Sequence, residues 1–106
     1  MGSGVEEFLA QELKDPVFRV AFSEARTKRM KKAIAEAIRE SREKQGLSQT
    51  ALSKRAKTTQ AVISRIENVN TPYLPSVEVL ARLAGALGAH LEIAFVPEKP
   101  EARAPL

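Results

Sequence analysis

Hydrophobic residues recur every three or four positions along most of the chain, which predicts an all-α fold. The first helical pattern covers residues 5–14, and Asp15-Pro16 starts another, with Asp as the cap and Pro at the first helical position. A long pattern without Gly or Pro then extends from Glu24 to Gln45, where Gly46 is a suitable stop. Its apolar stripe is predicted to face a core, with basic side chains opposite. The stripe comprises Met30, Ile34, Ala37 and Ile38, and the basic residues are Arg26, Lys28, Arg29, Lys32, Arg39 and Arg42.

Two short helical patterns follow, separated by a polar Lys-Thr-Thr. Ser48 is predicted to cap a helix through about Ala56, and Thr58 or Thr59 to cap another through about Asn68. Helices this short are marginal alone, so we expect their inward residues to close a core with the helices at 26–45 and 76–87. The second short helix then becomes an outward ridge whose width fits the major groove of DNA. This is the helix-turn-helix arrangement.

The pattern changes after a final predicted helix, which Pro75 or Ser76 opens and Gly88 ends. In residues 90–96, apolar and other positions alternate, which predicts a short C-terminal β-strand with one buried face formed by Leu91, Ile93 and Phe95. The sequence offers no second strand to pair with it, and an unpaired strand leaves backbone N–H and C=O groups unbonded. We therefore expect a homodimer through this strand. The proline-rich tail, residues 98–106, is predicted to be disordered.

Charge is concentrated in the middle of the chain. Residues 26–65 contain twelve of the 17 Lys and Arg side chains against three Glu, whereas residues 1–25 have a net charge of −3. A basic segment between acidic ends is typical of a nucleic-acid-binding domain. The alternative is that the basic helix 26–45 binds a membrane surface or another protein, although its apolar side lacks aromatic residues.

Composition removes several other classes of function. Cysteine is absent and there is one histidine, so no metal site is expected. No phosphate loop, Gly-rich dinucleotide turn or nucleophile with a matched base is present, so we expect neither an enzyme nor a cofactor. No apolar run approaches the ~20 residues of a membrane helix, and we expect a cytoplasmic protein.

The segment from about residue 33 to 88 resembles the lambda-repressor-like, Cro/C1-type helix-turn-helix family. The matching runs are GLSQTAL, TTQAVISRIEN and SVEVLARLAGALG. The resemblance implies binding to double-stranded operator DNA, with base edges contacted by Gln60, Ala61, Ser64 and Arg65. It also implies contacts with the DNA backbone by Gln49, Lys57, Thr59 and Asn68.

Two residues within the motif have a separate interpretation. Lys57 stands where the family usually has glycine, and a left-handed backbone there would cost a non-glycine residue about 1 kcal/mol. Lys57 would also add a cation beside the DNA. Glu67 is interpreted as structural, paired with a nearby basic group.

The N-terminal segment suggests a protein interface because it is acidic and rich in phenylalanine. Together with the strand LEIAFV, the run LAQELKDPVFRVAFSEA resembles HigA-type antitoxins, which neutralise a HigB/RelE-like mRNA endonuclease and repress their own operon. The resemblance implies a toxin-binding set of Phe8, Leu9, Leu13, Phe18 and Phe22. The alternatives are a stand-alone repressor and packing of these residues onto the chain's own helices. The predicted domains are a partner-binding arm (1–25), a DNA-binding domain (26–88), a dimerisation strand (89–97) and the tail (98–106).

Overall fold

The fold is known from a computed structural model, which describes residues 3–12 and 14–97. In that part of the chain there are five helices and no strand: α1 (Ser3–Glu12), α2 (Pro16–Lys44), α3 (Gln49–Arg55), α4 (Gln60–Glu67) and α5 (Val77–Ala86). The predicted all-α class is confirmed. The predicted disordered tail, residues 98–106, lies outside the described residues. No helix within the described ranges is long and apolar enough to cross a membrane.

Helix α2 is one continuous helix of 29 residues. It begins where the sequence predicted a restart: the Asp15 carboxylate accepts the Val17 N–H at 2.9 Å, and Pro16 is the first helical residue. The separate start predicted near Glu24 is wrong, because nothing between Val17 and Glu24 interrupts helical hydrogen bonding. After Lys44 the chain turns at Gly46, whose φ of +69° is the left-handed conformation that glycine adopts without strain.

Two compact units are present along the chain. One contains residues 28–92 and holds the helix-turn-helix, and the other contains described residues that precede and follow it. The predicted boundary between residues 25 and 26 falls inside α2, so the division into an arm and a DNA-binding domain stays a prediction. The first unit, called the helix-turn-helix unit below, has a single buried apolar cluster: Ile38, Leu52, Ala56, Ile63, Ile66, Leu83 and Leu87.

The face that α2 presents to this cluster differs from the predicted stripe. Lys31, Ala35 and Ile38 are buried, whereas Met30 is 54% exposed and Ala37 is also exposed. The prediction is confirmed for Ile38, which is buried, and for Ile34, which packs against the cluster, and it is wrong for Met30 and Ala37. The buried face begins with a lysine whose ammonium group is satisfied by backbone carbonyls, and sequence periodicity alone could not identify it.

Helices α3, α4 and α5 each begin at a residue whose hydroxyl group caps the helix. Ser48, Thr59 and Ser76 accept the backbone N–H three residues further on, at 3.0, 3.2 and 3.1 Å. The structure therefore selects Thr59 over Thr58 and Ser76 over Pro75. Gly88, with φ of +79°, follows the end of α5 as predicted.

The turn between α3 and α4 contains the one left-handed non-glycine residue of the described chain, Lys57, with φ of +57°. The left-handed backbone that the family has at this position is therefore kept, although the residue here is not glycine. The Thr58 N–H continues the turn by donating to the Ser53 carbonyl at 2.9 Å.

Replacing Lys57 by glycine should raise the free energy of unfolding by up to about 1 kcal/mol, because glycine adopts this φ without the Cβ clash. Chemical denaturation followed by circular dichroism would measure the change. The matched control is Lys54→Gly, which removes the same charge from inside α3 and should destabilise by about 1 kcal/mol. Destabilisation by both variants would contradict the assignment of strain to residue 57.

Residues 91–97 contain no strand in this single chain. Leu91 is half-buried, Ile93 is exposed and Phe95 is 100% exposed. A lone extended segment can form a strand only when another edge pairs with it. The dimerisation strand therefore stays a prediction.

Candidate DNA-binding site

Helix α4 has two opposed faces. Ile63 and Ile66 are completely buried, and together with Leu52 of α3 they fix the helix in the core. The four residues predicted to contact base edges, Gln60, Ala61, Ser64 and Arg65, are all exposed. Their spacing places them together on one side of the helix. The outward ridge expected from the sequence is therefore present.

A chain of hydrogen bonds connects the start of α4 to the start of α3. The Gln60 side-chain amide donates from Nε2 to Gln49 Oε1 at 2.7 Å, and Gln49 Nε2 donates to Glu67 Oε1 at 3.1 Å. An ionised carboxylate only accepts, so Glu67 determines that Gln49 turns its nitrogen inward and its oxygen toward Gln60.

This arrangement leaves specific groups available for a ligand. An amide nitrogen has two N–H groups, so Gln60 keeps one donor and its Oε1 acceptor, and Gln49 keeps one donor. One donor and one acceptor on the same amide match the N7 and N6 positions of adenine. A single remaining donor on Gln49 suits a phosphate oxygen.

Glu67 is held by arginine side chains from α2. Arg42 donates from Nε to Glu67 Oε2 at 2.7 Å and from Nη2 to Oε1 at 2.9 Å, and its Nη1 donates to the Leu47 carbonyl at 2.8 Å. Arg39 Nη2 donates to the Glu67 backbone carbonyl at 2.9 Å. The interpretation of Glu67 as a structural residue paired with a basic group is confirmed. The placement of Arg42 on the outer face of α2 is wrong, because its side chain is largely buried in this pair.

The protonation of Glu67 reflects a balance of opposing effects. Burial alone raises the pKa of Glu67, but hydrogen bonds from Arg42 and Gln49 and the charges of Arg42 and Arg39 outweigh it, so the pKa lies below its ordinary value of 4.5. The hydrogen bonds that Arg42 donates to Glu67 correspondingly raise the pKa of Arg42. The pair is therefore fully charged near neutral pH.

A depressed carboxylate pKa predicts loss of stability in acid. The unfolded state takes up the Glu67 proton near pH 4.5, before the folded state does, so the free energy of unfolding should decline as the pH falls below that value. Denaturant titrations from neutral pH into the acid range would measure the decline. The control Glu67→Gln cannot titrate at this position, and its decline should be shallower. Parallel declines for both proteins would contradict the prediction.

The C-terminal end of α4 is capped by α2. Lys31 Nζ donates to the carbonyls of Arg65 and Ile66, both at 2.9 Å, and the Thr71 hydroxyl donates to the Arg65 carbonyl at 3.2 Å. A cation at this end complements the helix dipole. Burial lowers the pKa of Lys31. Sequence reasoning missed this residue, although Lys31 is in phase with Ala35 and Ile38, four and seven positions further on.

Comparison with known proteins agrees with this geometry. A family model described as helix-turn-helix, of the Cro/C1 type, matches residues 38–93, which is more than half of the chain. The chain belongs to this helix-turn-helix family. It is accordingly a DNA-binding transcription regulator. Among curated proteins and solved structures, none matches the chain significantly.

The residues that the resemblance implied at the DNA backbone are distributed over the motif of this helix-turn-helix protein: Lys57 and Thr59 lie in the α3–α4 turn, Gln49 begins α3, and Asn68 follows the end of α4. Lys57, Thr59 and Asn68 are exposed and Gln49 is half-buried. The Thr59 hydroxyl already caps α4, and the Asn68 side-chain oxygen accepts the Asn70 N–H at 2.9 Å. Both of these bonds use acceptor oxygens, so the Thr59 O–H and the Asn68 amide N–H groups remain available as donors, as do the Lys57 ammonium and one N–H of Gln49.

Of the residues implied for toxin binding, four can be placed. Phe8 is 59% exposed, and Leu9, Phe18 and Phe22 are half-buried. The rings of Phe18 and Phe22 are 5.9 Å apart, and the Arg26 guanidinium carbon lies 4.8 Å from the Phe22 ring centroid. The fifth, Leu13, lies outside the described residues.

Three further apolar residues near the N-terminus are exposed, and sequence reasoning did not select them. They are Val5, Val17 and Val20, of which Val17 is 77% exposed. All the N-terminal residues discussed here precede the family match, which begins at Ile38.

Proposed function

We propose that this protein is an operator-binding repressor that reads bases with Gln60, Ala61, Ser64 and Arg65 on α4. The observation that carries the proposal is the hydrogen-bonded chain from Glu67 through Gln49 to Gln60. It orients two glutamine amides before any DNA is bound. Gln60 keeps one donor and one acceptor for a base edge, and Gln49 keeps one donor for a phosphate. Fixing a side chain before binding lowers the entropic cost of ordering it on the DNA.

The other proposed DNA contacts fall into two groups, contacts with base edges and contacts with the sugar-phosphate backbone. The Arg65 guanidinium has the geometry to donate two hydrogen bonds to guanine O6 and N7, and the Ala61 methyl group can contact a thymine methyl. The proposal assigns contacts with the sugar-phosphate backbone to Gln49, Lys57, Thr59 and Asn68, as the resemblance to the family implies. Phosphate contacts add affinity and register without sequence information.

The test compares variants on a preferred and an unrelated duplex. Gln60→Ala or Arg65→Ala should weaken binding to the preferred duplex by roughly 5- to 150-fold and leave binding to the unrelated duplex nearly unchanged. Lys57→Ala is the matched control: it should weaken both complexes similarly and reduce the salt dependence. Equal losses on both duplexes for Gln60→Ala and Arg65→Ala would refute base reading.

We further propose a homodimer formed through Leu91, Ile93 and Phe95. The exposure of Ile93 and Phe95 supports it, since an apolar segment without a covering element favours association. A dimer would engage two half-sites about one helical turn, ~34 Å, apart. Phe95→Glu should shift the mass measured by sedimentation from dimer to monomer, and an unchanged mass would refute this interface.

The partner proposed for the N-terminal arm is a toxin protein. Exposed apolar residues lie on α1 and at the start of α2, outside the helix-turn-helix match, and the net charge of residues 1–25 is −3. A RelE-like toxin must have a basic surface to bind RNA, so the acidic charge of the arm is complementary to the charge of that surface. With the resemblance to HigA-type antitoxins, this makes the protein an antitoxin that neutralises a HigB/RelE-like mRNA endonuclease and represses its own operon.

The proposed toxin interaction is tested by co-expressing the protein with the products of the neighbouring genes and identifying the proteins that co-purify with it. Deleting residues 1–25 should abolish co-purification and leave operator binding largely intact. Val17→Asp is the point variant: the helix dipole favours a carboxylate in the first turn of α2, so loss of the partner would not reflect unfolding. If the intact chain captures no toxin, the second candidate, a stand-alone repressor, is the function.

A further inference from the structure

Arg65 lies over an aromatic ring from outside the helix-turn-helix. Its guanidinium carbon is 5.8 Å from the centroid of the Tyr73 ring, within the ~6 Å range of cation–π attraction. Tyr73 belongs to the segment between α4 and α5, where it is half-buried and packs against the apolar cluster of the helix-turn-helix unit. The ring is therefore an anchored support for an otherwise exposed side chain.

The backbone of Arg65 is already fixed. Its carbonyl accepts from Lys31 Nζ at 2.9 Å and from the Thr71 hydroxyl at 3.2 Å. What remains free is the long side chain, which loses considerable rotamer entropy when it is ordered. A contact that restricts those rotamers before binding reduces that loss at the DNA.

Support by a ring face differs from support by an acidic partner. A carboxylate would occupy the guanidinium N–H groups, whereas a ring beneath the guanidinium plane leaves the donors at its edge available. In the part of the chain that the structure describes, the Arg65 side chain forms no ion pair. Its donors are thus available to the two in-plane acceptors of guanine, O6 and N7.

We propose that Tyr73 is a specificity-determining positioning residue, which holds the Arg65 guanidinium ready to read a guanine. The inference rests on the proposed function, in which Arg65 contacts a base edge. It adds that the base preference at that position depends on a ring from the α4–α5 segment, which does not itself touch the base.

Two substitutions at Tyr73 distinguish the effect of the aromatic ring from the effect of apolar packing. Tyr73→Phe keeps the ring, and Tyr73→Leu keeps an apolar side chain of similar burial without a π face. Selection of duplexes from a randomised pool, followed by titration of single-base variants, would give the base preference at each position for the wild type, Gln60→Ala, Arg65→Ala and both Tyr73 variants. Tyr73→Leu should reduce discrimination by roughly 2- to 5-fold at the base pair where Arg65→Ala loses it. The position sensitive to Gln60→Ala should be unchanged, and Tyr73→Phe should match the wild type.

The outcomes distinguish this inference from the proposed function. If the wild type selects no sequence, or Arg65→Ala changes no position, the proposed function fails and the inference fails with it. If Arg65→Ala loses one base preference that Tyr73→Leu retains, the inference alone is overturned. A uniform loss at all positions in Tyr73→Leu, accompanied by a lower Tm, would overturn it by indicating a general structural role. Equal losses in Tyr73→Phe and Tyr73→Leu would assign the effect to the hydroxyl group and also overturn it.

Discussion

Replacing Arg42 by alanine should lower the free energy of unfolding by about 3–5 kcal/mol, the usual cost of leaving a buried charge without its partner. The Glu67 side chain is 3% exposed, and Arg42 supplies two of its side-chain hydrogen bonds. Without them the carboxylate keeps only the Gln49 amide and a long contact of 3.9 Å to Arg39.

Arg39→Ala is the matched control, since it removes the same residue type from the same helix and a contact with the same Glu67. The Arg39 side chain is 46% exposed, so its loss should cost about 1 kcal/mol or less. The double variant Arg42→Met with Glu67→Leu removes both buried charges and should recover most of the stability lost in Arg42→Ala. Equal effects of Arg42→Ala and Arg39→Ala in urea denaturation would contradict the assigned role of the buried pair.

The double variant also separates stability from recognition. It should fold well, but Gln49 would lose the acceptor that determines its orientation, and Gln60 would lose a fixed partner in turn. We therefore expect a stable protein whose discrimination between operator and unrelated DNA is weaker. In this protein the buried ion pair is connected to the exposed face of α4 through two side-chain amides, and stability measurements alone would not reveal that connection.

Local chemistry explains which features the sequence could predict. The cap at Ser48, the start at Asp15-Pro16 and the stop at Gly46 depend on neighbouring backbone groups, and all three were predicted correctly. For α5 the sequence narrowed the start to Pro75 or Ser76, and the structure has Ser76 as the cap. The left-handed turn at Lys57 followed from comparison with a motif that has glycine there.

Features that depend on residues distant in sequence were predicted poorly. Lys31 was given no role, and Arg42 was assigned to the outer face of α2 because it is charged. Their partners, the Arg65 carbonyl and the Glu67 carboxylate, lie 34 and 25 residues away. Burial of these two side chains is favourable only once α4 lies beside them, so the local sequence could not identify the partners that make it possible. The ring of Tyr73 was missed for the same reason. The strand predicted at residues 90–96 depends on an edge from outside the chain, so a single chain cannot test it.

Ile63→Ala should be the other strongly destabilising change, at about 2–5 kcal/mol, because it removes three carbons from a completely buried site. Ile63 and Ile66 are the apolar anchors of α4, and the helix has only eight residues. A helix this short keeps its structure through packing rather than intrinsic propensity, so the cavity should also loosen the exposed base-reading face.

The graded control is Ile63→Val, which removes one carbon and should cost about 0.5–1.5 kcal/mol. If packing of α4 governs recognition, discrimination between preferred and unrelated duplexes should decline in the order wild type, Ile63→Val, Ile63→Ala, at a temperature where all three remain folded. Full discrimination by folded Ile63→Ala would mean that the hydrogen bonds from Lys31 and the Gln49–Gln60 pair suffice to hold the helix. The core beneath α4 would then determine whether the unit folds, and the polar groups at the two ends of α4 would determine how it reads DNA.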